Sequence, residues 1–378
     1  MSAQFTALPP GLFRATTWTW PSLARYWHAI SMQSYLAAQY WLESVGAGRE
    51  KTSTPAVSFN LDRDFSSQGF RNAILNSNHS QSDYAIVLNM PLLQTATSSS
   101  RQLSKGGRQQ VLRTYLDHLV SEIRILGSLV SKNRRLCRLY WPADMTRLLE
   151  PAEMTEVLYY LNRSFSVRQD QTTRFVFELP DIPEDDSIIA LARGLGFTDI
   201  FLSDFTALTP HPQKDLKNFV QLLRRYGFSN ISTCLDYRHL KKRNEVEKVA
   251  RRAADLKLNA ICLSPHPAYA AAATATTTNA KQLDLPSALE RLEPVLSKRG
   301  YERNGHVFTD QTSTSPPLLN HVFGLGLGAI SIIDNMFGVN VDQLDQYYSL
   351  IDRQQLAFGS GGYIQPIKSQ AMRYPEGQ

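Results

Sequence analysis

From Tyr84 onwards the sequence alternates between short apolar runs and longer amphipathic stretches, and this alternation restricts the fold more than any other feature. Six runs have the length and composition of buried strands. They are residues 84–88, 136–141, 174–179, 199–202, 231–235 and 260–264. The helical stretches between them are residues 105–131, 153–163, 185–195, 214–226 and 240–256. Six β-then-α units in series predict an α/β fold of parallel strands covered by helices, arranged as a closed or partial barrel.

The chain divides into three parts by composition. Residues 1–50 contain an irregular arm and an aromatic-rich helix over 21–45, which we expect to pack on the rest of the protein, on a partner chain or on a second copy. Residues 51–352 hold the predicted barrel, and residues 353–378 are predicted to form a C-terminal tail. The Ala/Thr-rich residues 268–282 predict a loop after the sixth strand and not a linker between domains.

Composition and charge argue against several classes of protein. The formal net charge of +6 over 378 residues is small, and the basic runs lie on predicted helices without aromatic residues between them. We therefore expect no nucleic-acid site. No apolar stretch reaches the roughly 18 residues that predict a membrane span. Cys137, Cys234 and Cys262 stand singly in apolar runs, which indicates buried free thiols in a reducing cytoplasm.

A glycine-rich, strand-like segment, HVFGLGLGAISIID, occupies residues 321–334. Gly324, Gly326 and Gly328 alternate along it, which predicts that a ligand or a neighbouring backbone approaches closely, since glycine has no side chain. Their spacing is not the GxGxxG of a dinucleotide fold. His211 and His266 each follow a predicted strand, but the histidines show no metal-ligand spacing, so the sequence predicts no metal site.

Three segments together carry a family resemblance. They are YLDHLVSEI (115–123), FGLGLGAISIIDN (323–335) and LDQYYSLID (344–352). With them the chain resembles the oxygen-independent coproporphyrinogen III oxidases, which are radical S-adenosylmethionine (SAM) enzymes of heme biosynthesis. The resemblance implies a partial (β/α)6 TIM-like barrel, which agrees with the six units above. It also implies a [4Fe–4S] cluster, SAM and a C-terminal domain, and we expect this chain to have no counterpart of that domain.

The segment that holds the cluster in the family departs from its pattern here. The family places three cysteines in a CxxxCxxC motif after the first strand, because thiolates bind the iron of the cluster. An ungapped correspondence puts Met90, Gln94 and Thr97 at these positions, and none of them supplies a thiolate. The family's glycine-rich SAM loop reads PADMT (142–146) in this chain. We therefore expect a degenerate member of the family that binds no cluster, metal or SAM cofactor.

Other positions of the family's cofactor pocket keep a polar residue. The resemblance implies a vestigial ligand pocket that includes Tyr84, Glu178 and Asp236 together with the three alternating glycines. Glu178 corresponds to an acidic SAM contact, and Asp236 lies two residues beyond the position of a second acidic residue. A second interpretation makes Glu178 and Asp236 ordinary strand-end residues that basic neighbours hold in place.

These features lead to three functional hypotheses. In the first, a coproporphyrinogen oxidase-like protein has lost radical SAM catalysis and binds a porphyrin, heme, another small ligand or a protein partner in heme and porphyrin metabolism. In the second, it is an active oxidase or a related SAM-dependent enzyme. In the third, it is a structural protein that pairs with an active paralogue through the helix at 21–45. Because the cofactor carries the hard chemistry in such enzymes, the missing thiolates favour the first hypothesis.

Overall fold

The computed structural model describes residues 57–91, 105–168, 170, 172–203, 205–208, 210–235, 243–263, 285–304, 307–310 and 319–366. Several predicted features lie outside these ranges. They are the arm and aromatic helix at 1–50, the loop at 268–282, and the positions of Gln94, Thr97 and Asp236. Among the helices inside the ranges, none combines the length and the apolar character that a membrane crossing requires.

The strands within the described ranges join one fourteen-stranded sheet. They are β1 (Val57–Leu61), β2 (Tyr84–Leu88), β3 (Arg135–Trp141), β4 (Ser166–Val167), β5 (Arg174–Leu179), β6 (Asp199–Leu202), β7 (Asn230–Leu235), β8 (Ala260–Leu263), β9 (Tyr301–Asn304), β10 (Val307–Asp310), β11 (His321–Leu325), β12 (Ile330–Ile333), β13 (Met336–Asn340) and β14 (Phe358–Pro366). The order across the sheet is β1-β14-β13-β12-β11-β2-β3-β5-β6-β7-β8-β10-β9, and β4 pairs with β3.

Helices connect most of these strands. The described ones are α1 (Ser67–Ser77), α2 (Lys105–Leu129), α3 (Ala143–Leu148), α4 (Pro151–Ser164), α5 (Ser187–Gly194), α6 (Phe205–Leu208), α7 (Gln213–Arg225), α8 (Arg243–Ala254), α9 (Leu285–Ser297) and α10 (Leu344–Asp352). Helix α4 begins with a capping box, in which the Glu150 side chain accepts from the backbone of Glu153 and the Glu153 side chain accepts from the backbone of Glu150.

The centre of the sheet consists of seven parallel strands, β11-β2-β3-β5-β6-β7-β8. These strands are apolar because both of their faces are covered, and all five residues of β2 are buried. Helices lie between successive strands in the chain, so the predicted α/β fold of six β-then-α units is confirmed. The six predicted strands agree with the observed ones to within one residue at each end.

Antiparallel strands extend the sheet on both sides of this centre. Strands β12, β13, β14 and β1 continue beyond β11, and β10 and β9 continue beyond β8. The two outermost strands, β1 and β9, do not pair with each other within the described ranges. The sheet is therefore open there, as a partial barrel is and a closed barrel is not.

Strand β14 lies in the part of the chain that the sequence predicts to be a tail. Its glycines explain the difference. A Cβ atom at Gly361 would lie 2.4 Å from the carbonyl oxygen of Phe337, and one at Gly362 would lie 1.9 Å from the carbonyl oxygen of Asn60. Strands β13 and β1 approach β14 from its two sides, so only glycine fits at these points. Residues 358–366 are thus a sheet strand and not part of a tail.

The two faces of the sheet have different surroundings. The outer face packs on the helices in one large apolar cluster, which takes Ile86, Leu139 and Ile200 from the strands. The inner face carries a second apolar cluster that includes Val87, Tyr140 and Phe201. This division follows from the two-residue period of a strand, which sends neighbouring side chains to opposite faces. All three cysteines of the chain are buried, and none forms a disulfide.

A buried carboxylate, Glu122, joins four parts of the fold. Glu122 lies on α2 and is 1% exposed. One of its oxygens accepts hydrogen bonds from the Gly326 amide at 2.7 Å and from the Tyr347 hydroxyl at 2.8 Å. The other accepts from the Asn340 side chain at 2.8 Å. Burial raises the pKa of Glu122 to about 7, although these three donors act in the opposite direction.

Tyr115 continues this network two helical turns earlier on α2. Its hydroxyl donates to the carbonyl oxygen of Asn89 at 2.5 Å and accepts from the amide of Leu327 at 3.0 Å. The Asn89 side chain in turn donates to the Leu327 carbonyl oxygen at 2.7 Å. The chain that leaves β2 and the chain that leaves β11 are therefore held together at the carboxyl ends of the two strands.

A second buried polar group lies at the opposite, amino-terminal ends of the same strands. Arg134 is fully buried and donates to Nδ1 of His321 at 2.8 Å, and Nε2 of His321 lies 3.2 Å from the Asp334 carboxylate. The arginine also lies 5.2 Å from the centre of the Tyr84 ring. Burial, followed by the Arg134 charge, lowers the pKa of His321. A neutral imidazole that carries its proton on Nε2 satisfies both contacts.

The neighbouring tyrosines Tyr347 and Tyr348 provide a matched test of the Glu122 network. Tyr347→Phe should lower the free energy of unfolding by about 1.5–3 kcal/mol, since it removes a buried hydrogen bond to a charged group. Tyr348→Phe should change it by less than about 0.5 kcal/mol, because no residue of the described ranges hydrogen bonds to that hydroxyl. Urea unfolding followed by circular dichroism measures both values. Equal losses in the two variants would contradict the assignment.

Candidate functional site

Glu178 lies near the carboxyl end of β5, at the edge of the parallel sheet where folds of this class place their ligands. Its side chain is on the inner face and is 4% exposed. The Tyr140 hydroxyl donates to Oε2 of Glu178 at 2.7 Å, and the Ala143 amide donates to the same oxygen at 2.8 Å. No residue of the described ranges donates to Oε1. The carboxylate is therefore fixed in position by one oxygen, and the other remains available as an acceptor.

The chain that follows β3 builds the second wall of this site. After Trp141, Pro142 has extended backbone angles and α3 begins at Ala143, so the first amide of the helix points to Glu178. Thr146 adds a hydrogen bond of 2.9 Å to the carbonyl oxygen of Glu178. The segment PADMT thus keeps a backbone donor at this position, in spite of its proline and its missing glycines.

Asp144 places a second carboxyl group beside Glu178. Burial, followed by the charge of Glu178, raises the pKa of Asp144 to about 6. Two carboxyl groups that share a partly buried site bind one cation, or one proton, more readily than either alone. The sequence gives one signal for Asp144, an acidic residue in the first turn of a helix after a proline. That signal is common, and the contact with Glu178 depends on two strands that are distant in sequence.

Basic residues lie on the inner face towards the amino ends of the same strands. Arg138 of β3 and Arg174 of β5 are register partners, so their side chains leave the sheet on the same face. Nε of Arg174 lies 4.0 Å from the Asp199 carboxylate, which also accepts from the Asn230 side chain at 3.2 Å. Side chains of both charges therefore lie near the amino ends of these strands on the inner face. Near the carboxyl ends, the carboxyl groups of Glu178 and Asp144 lie together.

The residues present do not fit the iron–sulfur cluster that the resemblance implies. Met90 occupies the first cysteine position, and its side chain is fully buried in the apolar cluster of the outer face. A buried thioether of this kind is not a substitute for a cluster thiolate. The cysteines of the chain lie instead on β3, β7 and β8. Within the described ranges, which exclude Gln94 and Thr97, no three His, Cys, Asp or Glu side chains form a group suited to a metal ion.

Two of the three alternating glycines lie against backbone. A Cβ atom at Gly324 would lie 2.4 Å from the carbonyl oxygen of Ile330, and one at Gly326 would lie 2.0 Å from the carbonyl oxygen of Asn89. Gly326 also has a φ of +102°, and Gly328 has a φ of +66°. The sequence leaves open whether a ligand or a neighbouring backbone approaches these glycines. At Gly324 and Gly326 it is a neighbouring backbone.

The structure does not bring the predicted site residues together in one pocket. Tyr84 lies at the amino end of β2, where its fully buried ring packs at 5.4 Å from the Phe323 ring on the outer face. Glu178 lies on the inner face near the opposite ends of the strands. Asp236, Gln94 and Thr97 are outside the described residues. Of the residues predicted from the sequence, Glu178 lies in the site described above. Tyr140, Ala143 and Asp144 also lie there, and the sequence did not predict them.

The fold defines a class of protein: a mixed α/β chain in which a parallel sheet, covered by helices, forms an open TIM-like barrel. Among solved structures, it is similar to coproporphyrinogen III oxidase (HemN) from Escherichia coli, a radical SAM enzyme. The TM-score is 0.62, with 18% sequence identity over 80% of this chain and 76% of that one. At this identity the likeness establishes the fold alone.

Other structural matches carry no argument because their TM-scores are low. Deoxyribose phosphate aldolase from Aeropyrum pernix gives a TM-score of 0.28 at 10% identity, over 62% of this chain and 82% of that one. The YdjI aldolase from Escherichia coli K12 gives 0.23 at 10% identity, over 61% and 93%. No protein-family model matches the sequence, and no curated protein matches it.

Substitution of Gly326 tests whether the glycine segment packs against backbone. Gly326→Ala should lower the free energy of unfolding by more than about 3 kcal/mol, because the methyl group meets a fixed carbonyl oxygen and the backbone angle is unfavourable. Gly194→Ala in α5 is the control, since its Cβ meets nothing within 4 Å, and it should stabilise the protein by about 0.5–1 kcal/mol. A Gly326→Ala protein as stable as the wild type would show that the space is open.

Substitution of Asp144 tests the carboxyl pair through the pH dependence of stability. The pKa of Asp144 rises from 3.8 to about 6 on folding, so its protonated form stabilises the folded state below pH 3.8. That contribution is lost as the pH rises through 6. As the pH rises from 5 to 7.5, the melting temperature of Asp144→Asn should therefore increase relative to that of the wild type. Asp181→Asn, at an exposed position, should follow the wild type. A constant difference between Asp144→Asn and the wild type over this range would exclude the pair.

Proposed function

We propose that this protein is a coproporphyrinogen oxidase-like ligand-binding protein of heme and porphyrin metabolism that no longer performs radical SAM catalysis. The structural likeness to HemN supports the fold on which this proposal rests. The observation that carries it is a contrast between two positions that correspond to the family's cofactor pocket. The first cluster position, Met90, is fully buried in the core, whereas Glu178 keeps its hydrogen bonds and an available oxygen at the strand ends.

The chemistry of the inner face fits a tetrapyrrole ligand. The free oxygen of Glu178 and the carboxylate of Asp144 can accept hydrogen bonds from pyrrole N–H groups, which are donors. Arg138 and Arg174, nearer the amino ends, are cations of the type that binds propionate carboxylates. Apolar residues of the same face, Tyr140 and Phe201, present rings that lie 6.4 Å apart at their centres. A flat, apolar ring system with acidic edges matches this combination.

Two further parts of the proposal concern partners and location. The aromatic helix predicted at 21–45, outside the described residues, is our candidate for contact with a protein partner or a second copy. A cytoplasmic location is consistent with three cysteines that form no disulfide. Neither nucleic acid nor a metal ion is part of the proposed function.

Parallel titrations of the full-length protein with coproporphyrin III and with SAM test the ligand. We expect coproporphyrin III to bind and Glu178→Gln to weaken that binding about tenfold, since the variant replaces a charged acceptor by a neutral amide. Glu293→Gln is the control, because Glu293 pairs with Arg303 on the surface away from the site, and it should bind like the wild type. Unchanged binding by Glu178→Gln would place the ligand elsewhere.

Anaerobic reconstitution separates this proposal from an active SAM enzyme. Iron analysis and visible spectroscopy should find no stoichiometric four-iron signal, and SAM incubated with a verified reductant should yield no 5′-deoxyadenosine. A four-iron signal together with 5′-deoxyadenosine would replace the binding function with radical catalysis.

A further inference from the structure

A cleft of about 550 Å³ lies on the outer surface, between the carboxyl-terminal halves of α2 and α4. It is separate from the site at Glu178, because these helices cover the outer face of the sheet and Glu178 is on the inner face. The lining residues include the cations Arg124, Lys132 and Arg163 and the rings of Tyr159 and Tyr160, but no acidic residue. A volume of this size accommodates a small organic ligand.

The three cations have no carboxylate partner in the described part of the chain. The guanidinium of Arg124 lies 4.4 Å from the centre of the Tyr160 ring, and Nη1 of Arg163 donates to the Tyr159 hydroxyl at 3.0 Å. Lys132 donates to backbone carbonyl oxygens at the end of α4. The nearby carboxylate of Glu156 pairs instead with Arg113 at 2.7 Å. Three positive charges with only neutral partners repel one another, and a bound anion would relieve this repulsion.

The aromatic residues add a second kind of recognition. Tyr159 is 53% exposed, whereas most aromatic residues in the described part of the chain are at least partly buried. Its ring meets Tyr160 edge-on, with 5.2 Å between the centres, and Arg124 lies over Tyr160. Tyr159 is therefore the ring that remains open to a planar group, and base–aromatic stacking is a favourable contact for such a group.

The floor of the cleft is rigid. A Cβ atom at Gly127 would lie 2.7 Å from Cβ of Ser164 and 3.0 Å from its carbonyl oxygen, so α2 and α4 are in direct contact at this point. The hydrogen bonds of Lys132 hold the next loop against the end of α4. A site whose walls are fixed before the ligand arrives loses less entropy on binding.

A second cleft on the same surface provides the comparison. The cleft between α8 and α9, of about 490 Å³, also carries several basic residues, but Glu247 and Glu290 lie among them and it contains no aromatic ring. Arg251 pairs there with Glu247 at 2.8 Å. Arg299 pairs with Asp255 at 3.3 Å. Two cations of this cleft thus have carboxylate partners within the protein, whereas none of the three in the α2/α4 cleft does among the described residues.

We propose that the α2/α4 cleft binds a nucleotide. Arg124, Arg163 and Lys132 bind the phosphates, and the base stacks on Tyr159. Arginine suits this role because its planar guanidinium binds phosphate oxygens through two parallel hydrogen bonds. Both the unbalanced charge and the exposed ring are accounted for by one ligand that carries phosphate and a planar base.

Calorimetric titration of the full-length protein with ADP, pyrophosphate and adenosine tests the proposal. ADP should bind more tightly than pyrophosphate, and pyrophosphate more tightly than adenosine. Arg124→Gln and Arg163→Gln should each weaken ADP and pyrophosphate binding about tenfold. Tyr159→Ala should weaken ADP binding about tenfold and leave pyrophosphate binding within twofold.

Arg291→Gln in the α8/α9 cleft is the matched control and should bind ADP like the wild type. Melting temperatures confirm that each variant is folded, which is expected because the substituted side chains lie at the surface. Absence of ADP binding, wild-type affinity in both arginine variants, or an equal loss in Arg291→Gln would overturn the site. Equal affinity for ADP and pyrophosphate, with Tyr159→Ala unchanged, would overturn its assignment to a nucleotide.

Discussion

The fold depends on a single carboxylate that has been removed from water. Glu122 would be very unfavourable in its buried position without partners, and it has three donors that come from different parts of the chain. Through these contacts α2, the turn after β11, β13 and α10 hold one another in place. With Tyr115 the same helix also holds the ends of β2 and β11 together. The parallel centre and the antiparallel extension of the sheet therefore form one body.

The segments that carry the family resemblance are the segments that build this network. Tyr115 and Glu122 lie in the first, Gly326 in the second and Tyr347 in the third. Their contacts are with backbone, with each other and with Asn340, so these segments join α2 and α10 to the sheet. Met90, which corresponds to the first cluster position of the family, takes no part in this network and packs instead in the apolar cluster of the outer face. The hydrogen bonds that hold these elements together and the side chains of the candidate site belong to different residues, and a likeness of fold does not by itself establish a reaction.

The sequence predicts the parallel strands well because each is a short, continuous apolar run between helices. It does not predict β14, because a glycine-rich segment is typical of a loop. The reason for these glycines is the close approach of β13 and β1, which the sequence does not show. Glu178 could be selected because it corresponds to an acidic SAM contact in the family that the sequence resembles. The raised pKa of Asp144 could not be predicted from the sequence, because it arises from burial and from the charge of Glu178 on another strand. The role of Glu122 is hidden for the same reason, because its three donors lie 204 to 225 residues away.

The open edge of the sheet has a consequence for what the inner face can accommodate. In a closed barrel, the number of strands and their stagger together fix the internal diameter. Here β1 and β9 do not meet within the described ranges, so no ring of hydrogen bonds sets that diameter. Small changes in twist between neighbouring strands change the curvature of such an open sheet while every strand pair stays intact. The space beside the inner face is then set by the curvature of the sheet and not by the closure of a ring of strands.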